Sequence, residues 1–207
     1  MNSYSDQKKL LSLNNIQKSF GSLEVLRDIQ LDLYEGELVT ILGPSGCGKS
    51  TIFDIISGIL KEDAGRIEIN ASLGYMQQKD LLLPWKTIQD NIALPLVIQK
   101  APKEEIDKKV KEYMSIAGLE GFEKQYPNQL SGGMRQRASF LRTLMASEDI
   151  MLLDEAFASL DSMTKSKMHE WLLAILSDLG STILLITHDI DEAILLSDRI
   201  YLLSKKP

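Results

Sequence analysis

Gly43-Pro44-Ser45-Gly46-Cys47-Gly48-Lys49-Ser50-Thr51 decides how this chain folds. The five residues before it, Leu38-Val39-Thr40-Ile41-Leu42, are a β-branched apolar run that predicts a buried strand. After it, Ile52, Ile55, Ile56 and Ile59 recur at helical spacing. Between strand and helix stand a glycine, four residues, and then Gly-Lys-Ser, the spacing of a phosphate-binding loop. Its glycines let the backbone wrap closely, so that N–H groups point inward at an anion. The following helix adds its positive N-terminal end. Lys49 supplies a mobile charge for β- and γ-phosphates, and the Ser50 hydroxyl is a ligand for Mg²⁺. Residues Gly43 to Thr51 therefore predict a nucleoside triphosphate site. Cys47 lies inside the loop, so a bulky thiol adduct is expected to block that site.

Composition bounds the alternatives. At 207 residues the chain fits one domain, residues 1–207, large enough to bury a substantial core. Hydrophobic residues at 44% with 25% charged place it among globular chains rather than disordered ones. A formal charge of −6 opposes nucleic-acid binding, because a phosphate backbone is repelled overall. The single cysteine precludes an intrachain disulfide and suits a reducing compartment. Residues 1–10 lack the apolar core of a signal peptide, and no apolar run is long enough to span a bilayer. Work at a membrane would need another chain to supply the membrane part.

From Leu10 to Phe20 and from Val25 to Leu33 residues alternate like short strands, with turns at Gly21 and Tyr34-Glu35-Gly36-Glu37. A small antiparallel sheet is expected there, continuing at Arg66 to Asn70 and Leu73 to Met76. From Lys103 to Ala117 the residues Ile106, Val110, Tyr113, Met114 and Ala117 mark one helix face. Another helix is expected after Ser131, and a third from Thr164 to Leu179 that buries Met168, Trp171, Leu172, Ile175, Leu176 and Leu179 and stops at Gly180. Apolar strands at Ile150 to Leu153 and Thr182 to Thr187 complete an α/β alternation with a mostly parallel sheet. A helical block between about Thr87 and Met145 interrupts it as an inserted subdomain; with its leading loop it covers roughly residues 79–145.

Two further stretches carry chemistry. The strand Ile150-Met151-Leu152-Leu153 ends in Asp154-Glu155. Beside a phosphate loop, Asp154 is placed to hold Mg²⁺, directly or through water, and Glu155 to polarise the water that attacks the γ-phosphate. In Leu130-Ser131-Gly132-Gly133-Met134-Arg135-Gln136-Arg137, Ser131 predicts a helix N-cap and the glycines expose backbone N–H groups. That is a second anion site. It either binds something else or closes over a triphosphate held by another copy of the chain.

These residues, in this order, resemble the ATP-binding subunits of ABC transporters over essentially the whole chain. The matching motifs are the phosphate loop, Gln78 after the strand at Leu73 to Met76, the signature at 130–134, Asp154-Glu155, the Ser159-Leu160-Asp161 turn, and His188 after Thr187. The resemblance implies a P-loop NTPase core with a small N-terminal antiparallel β subdomain and an inserted α-helical subdomain. It also implies a head-to-tail dimer that sandwiches ATP between one copy's loop and the other's Ser131, Gly132, Gly133 and Met134. ATP and Mg²⁺ are the implied ligands. Phe20 would stack on adenine, Gln78 would contact Mg²⁺ and the attacking water, Glu155 would be the general base, Asp161 would line the dimer interface, and His188 would hold the γ-phosphate. His169 is expected on an exposed helix face with no role.

Gly74-Tyr75-Met76-Gln77-Gln78 followed by Asp80-Leu81-Leu82-Leu83-Pro84-Trp85 is similar to the nitrate/sulfonate/taurine importer subgroup. That similarity implies ATP hydrolysis at the cytoplasmic face of the membrane, energising import of a small solute through separate permease subunits fed by an extracytoplasmic binding protein. Lys79 to Lys86 is then expected to dock the permease through Leu81, Leu82, Leu83 and Trp85, against the competing expectation that these residues are core; substituting Leu82 and Trp85 separates the two. Relatives in that subgroup usually continue past a stretch like Leu203 to Pro207; losing such a segment would weaken packing or dimerisation but spare every nucleotide-contacting motif. A soluble ABC ATPase acting on DNA or ribosomes is the alternative, and such proteins usually carry long coiled-coil insertions or two fused cassettes, neither of which is seen here. A nucleotide-binding regulator without turnover is disfavoured by Glu155 and His188.

Overall fold

The computed structural model describes residues 7–147, 149–158 and 160–204, and for 176–179 the backbone alone. Strands β1 (Lys9–Phe20) and β2 (Leu23–Tyr34) turn at Gly21 and pair antiparallel. Strand β3 (Leu38–Leu42) leaves that layer for a second sheet, and α1 (Lys49–Ile56) follows the phosphate loop. The helix stops at Ser57, with Gly58 in the left-handed region at φ +74°, so Ile59 falls outside it and is exposed, contrary to its spacing.

Strand β4 (Ala64–Ile69) returns to pair with β1, completing a three-stranded antiparallel sheet in the order β2-β1-β4. The next strand, β5 (Leu73–Met76), does not continue that sheet as its alternation predicts. It pairs parallel with β6 (Ile150–Asp154), at the edge of the second sheet. Ser72 fixes this choice: its N–H and hydroxyl both donate to Asp149 Oδ2, at 2.8 and 2.6 Å, anchoring the starts of the two strands together.

Between β5 and β6 lies the helical block: α2 (Ile88–Ile98), α3 (Lys103–Ile116) and α4 (Gly132–Ala146). On α3, Val110, Tyr113 and Met114 are buried, as is Ala117 just beyond it. Helix α4 lies directly on β5, where a side chain at Gly74 would meet the Thr143 carbonyl oxygen at 2.7 Å. The chain ends in α5 (Ser162–Leu179), β7 (Thr182–Thr187), α6 (Ile190–Leu196) and β8 (Arg199–Leu202). Met168, Leu172 and Ile175 of α5 are buried and Trp171 is half-buried; the side chains of Leu176 and Leu179 lie outside the described residues.

The five parallel strands run in the order β5-β6-β7-β3-β8. Both faces of the central strands β3, β6 and β7 are covered, which is why these are apolar runs. Ile150, Leu152, Leu184 and Ile186 pack toward the antiparallel sheet and α1, while Met151, Leu153, Ile183 and Leu185 pack toward the helices. A parallel sheet brings all its carboxyl ends to one edge, and binding sites form there. Leu42, Met76, Asp154, Thr187 and Leu202 are those ends.

Candidate functional site

The phosphate loop begins where β3 ends. Gly46 and Gly48 have φ +76° and +106°, values that non-glycine residues adopt only under strain, and a side chain at Gly48 would meet Leu26 at 2.7 Å. Lys49 is nearly buried, and its Nζ donates to the carbonyl oxygens of Gly43 and Pro44 at 2.8 and 3.0 Å. Its charge is thereby held inside the curl of the loop. The Cys47 thiol lies behind the loop, 3% exposed and packed against Gly43, and is not among the residues that line the cavity.

The loop opens onto a cavity of about 580 Å³, with Phe20, Leu23 and Val25 at one end and Gln78, Asp154 and Glu155 at the other. Phe20 ends β1 and is half exposed. Glu155 is the meeting point of the polar end. Its Oε1 is 3.9 Å from Lys49 Nζ and 3.3 Å from His188 Nδ1, and its Oε2 accepts from Gln78 Nε2 at 3.3 Å. The Glu155 backbone sits at φ +45°, left-handed for a non-glycine residue, and its N–H donates to Ile186 O at 2.9 Å. Strain of this kind persists where surrounding bonds over-determine it, and it gathers at functional sites. It aims the side chain back over the sheet edge.

Asp154 is 8% exposed, and burial holds its carboxyl above the usual range, opposed by a hydrogen bond from Ser50. Tyr75 Oη lies 3.4 Å from Asp154 Oδ2, and burial together with that carboxylate pushes the phenol well above its ordinary value. Ser50 and Asp154 form an all-oxygen donor pair beside the loop, which fits a hard cation such as Mg²⁺. Among the described residues no cluster of three or more His, Cys, Asp or Glu side chains could hold a metal by itself. A cation here would be shared with the phosphates, as Mg²⁺ usually is.

The signature residues do not enter this cavity. Ser131 caps α4, accepting from Met134 N at 3.3 Å. Gly132 lines a separate opening of about 530 Å³, together with Gln78, Asp80 and Arg135. Gly133 backs onto Thr164, where a side chain would meet Thr164 Cγ2 at 2.7 Å. Asp161 accepts from Thr164 N and Oγ1 at 3.1 and 2.6 Å at the start of α5; Ser159 lies outside the described residues. One chain thus presents two separate openings that share Gln78.

His169 is a correction. It is 6% exposed, not on an open face, and its Nε2 is 3.0 Å from Glu192 Oε1. Residues not foreseen from sequence also fix the Gln78 loop to α4. Arg142 donates to the carbonyls of Asp80 and Leu81, both at 2.8 Å, and Arg135 Nε is 3.1 Å from Asp80 Oδ2. Their spacing of seven on one helix was the available signal. In the proposed docking segment Leu82 is core at 7% exposed, whereas Leu81 and Trp85 are exposed at 50% and 71%.

A parallel sheet with a phosphate loop at its carboxyl edge and carboxylates on the neighbouring strand defines a P-loop nucleotide hydrolase. The model of the ABC transporter family matches residues 26–158, and the chain belongs to that family as an ATP-binding subunit, an ATPase. It is 46% identical to the formylaminopyrimidine import ATP-binding protein ThiZ of Halalkalibacterium halodurans, over 97% of this chain and 82% of that one. Identity to the aliphatic sulfonates import ATP-binding protein SsuB of Bacillus cereus is 41%, over 95% and 82%. The taurine import ATP-binding protein TauB of Escherichia coli O157:H7 is 39% identical, over 96% and 81%. Among solved structures, the dimeric ABC transporter cassette MJ0796 superposes with a TM-score of 0.82 at 32% identity, over 94% of both chains. Its post-hydrolysis dimer bound to ADP and Pi gives 0.81.

Proposed function

We propose that two copies of this chain sandwich ATP and hydrolyse it to energise an importer whose permease is a separate protein. The observation that carries this is the convergence of Lys49, Gln78 and His188 on Glu155 at the edge of the loop cavity. In that arrangement the loop, from Gly43 to Thr51, and Lys49 hold the phosphates, and Phe20 stacks on the base. Ser50 and Asp154, with Gln78, would hold Mg²⁺, whose charge would offset that of the phosphates. Glu155 takes the proton of the attacking water, and His188 holds the γ-phosphate. Ser131, Gly132, Gly133 and Met134 act on the triphosphate of the other copy, with Asp161 at the contact between copies. The separation of the two half-sites within one chain supports action in trans, as does the dimeric state of the structural relative.

Import as the direction of transport follows the ThiZ, SsuB and TauB relatives, whose names specify import. Those names also suggest the solute class, a small molecule that is sulfonate-like and anionic or heteroaromatic; delivery by an extracytoplasmic binding protein is part of the same proposal. Among the described residues no helix is long and apolar enough to cross a membrane, so permease subunits would hold this chain at the cytoplasmic face. The deciding test is Glu155→Gln, which keeps shape and hydrogen bonding but removes the base. ATP binding should persist, turnover should fall by about 10²-fold or more, and an ATP-bound dimer should accumulate on size exclusion. Normal turnover would refute the role of Glu155.

A further inference from the structure

His169 sits inside the molecule between the two segments that carry Glu155 and His188. On one side the ring of Phe157, two residues after Glu155, meets it edge-on with centroids 5.3 Å apart. On the other side lies Glu192, whose carboxylate is also buried. A carboxylate only accepts, so His169 Nε2 is the donor across the 3.0 Å to Oε1. The second oxygen of Glu192 accepts from the Thr187 hydroxyl, and Thr187 Oγ1 in turn accepts from Asp189 N at 3.1 Å. Asp189 closes the circuit by accepting from Glu192 N at 3.1 Å and from Lys165 Nζ at 2.6 Å.

Thr187 and Asp189 are the two neighbours of His188. Both are therefore tied to α5, through His169 and Lys165. Packing alone would be met more cheaply by an apolar side chain, because a buried carboxylate is costly unless fully bonded. A satisfied buried network instead specifies geometry. We propose that His169 is a positioning residue for hydrolysis: through Glu192 and Thr187 it sets the backbone that presents His188, and through Phe157 it steadies the turn that presents Glu155. This rests on the proposal that Glu155 and His188 perform the hydrolysis.

The test compares the full chain with His169→Leu, His169→Gln, Thr187→Val and His188→Ala by steady-state ATPase kinetics and ATP binding. His169→Leu should lower kcat by about tenfold or more while KM stays within about threefold, since a small misplacement of a reacting group is enough. His169→Gln keeps a donor within reach of Glu192 and should recover most of the rate. Thr187→Val breaks the next link and should show the same loss confined to kcat. Wild-type kcat in His169→Leu, or a Gln variant that recovers nothing, overturns the assignment. If His169→Leu does not fold, Thr187→Val decides: reduced kcat supports positioning, and wild-type kcat overturns it. Full turnover by His188→Ala would remove the hydrolytic roles themselves, whereas an inactive His188→Ala beside a fully active Thr187→Val removes only the positioning role.

Discussion

Asp154 illustrates at the residue scale how a site is built against stability. Burial raises its folded pKa above the unfolded value of about 4, so the folded chain keeps a proton that the unfolded chain has released. Stability therefore falls as pH rises from about 4 through the raised value, and a constant cost remains above it. Asp154→Asn removes the cost. Without nucleotide its Tm should exceed wild type, by about 2–4 °C for each kcal/mol relieved, with the gap opening across that pH window and Mg²⁺-dependent turnover lost. Equal melting at pH 7 would show that the carboxylate is not strained. The placement of the phosphate loop beside Asp154 and Glu155 was legible because each belongs to a local motif of fixed residue types and spacing. Tyr75 and His169 were not, since their partners lie 79 and 23 residues away and only the fold brings them together.

At the scale of elements, the segment from Lys79 to Lys86 divides. Leu82 belongs to the helical core, and Leu82→Ala should cost about 2–5 kcal/mol in denaturant unfolding. Trp85→Ala should stay within about 0.5 kcal/mol, because the ring packs on little of its own chain. If Trp85 docks a permease, its loss abolishes transport by the assembled complex while basal ATPase persists; full transport would place the docking surface elsewhere. The strand–loop–helix unit around the phosphate loop was readable from periodicity, as was the face of α3. Strand β5 was placed in the wrong sheet because alternation is the same in either one, and the bonds that decide it reach from Ser72 to Asp149. Helix α2 carries Pro95 inside it, which masks its pattern.

For the whole molecule, the two half-sites set a concentration law. If Ser131 to Gly133 complete the cavity of a second copy, specific ATPase activity of the isolated chain rises with protein concentration until dimers saturate. Turnover independent of concentration would mean that the signature acts within its own chain or not at all. The parallel sheet was foreseen because its central strands β3, β6 and β7 are apolar runs buried on both faces. Two anion-binding motifs were legible in the sequence, and the fold sets them at separate openings.

Cys47, sealed behind the phosphate loop, gives the molecule a clock for its own opening. A thiol reagent can reach it only during excursions in which the loop and α1 lift from the sheet, so the native-state labelling rate, divided by that of an exposed thiol, measures the equilibrium of that opening. Each tenfold slowing relative to an exposed thiol corresponds to about 1.4 kcal/mol of opening free energy. MgATP, held by the closed loop, should slow labelling in proportion to its saturation. An unchanged rate would mean that the thiol is reached by a route that leaves the nucleotide in place.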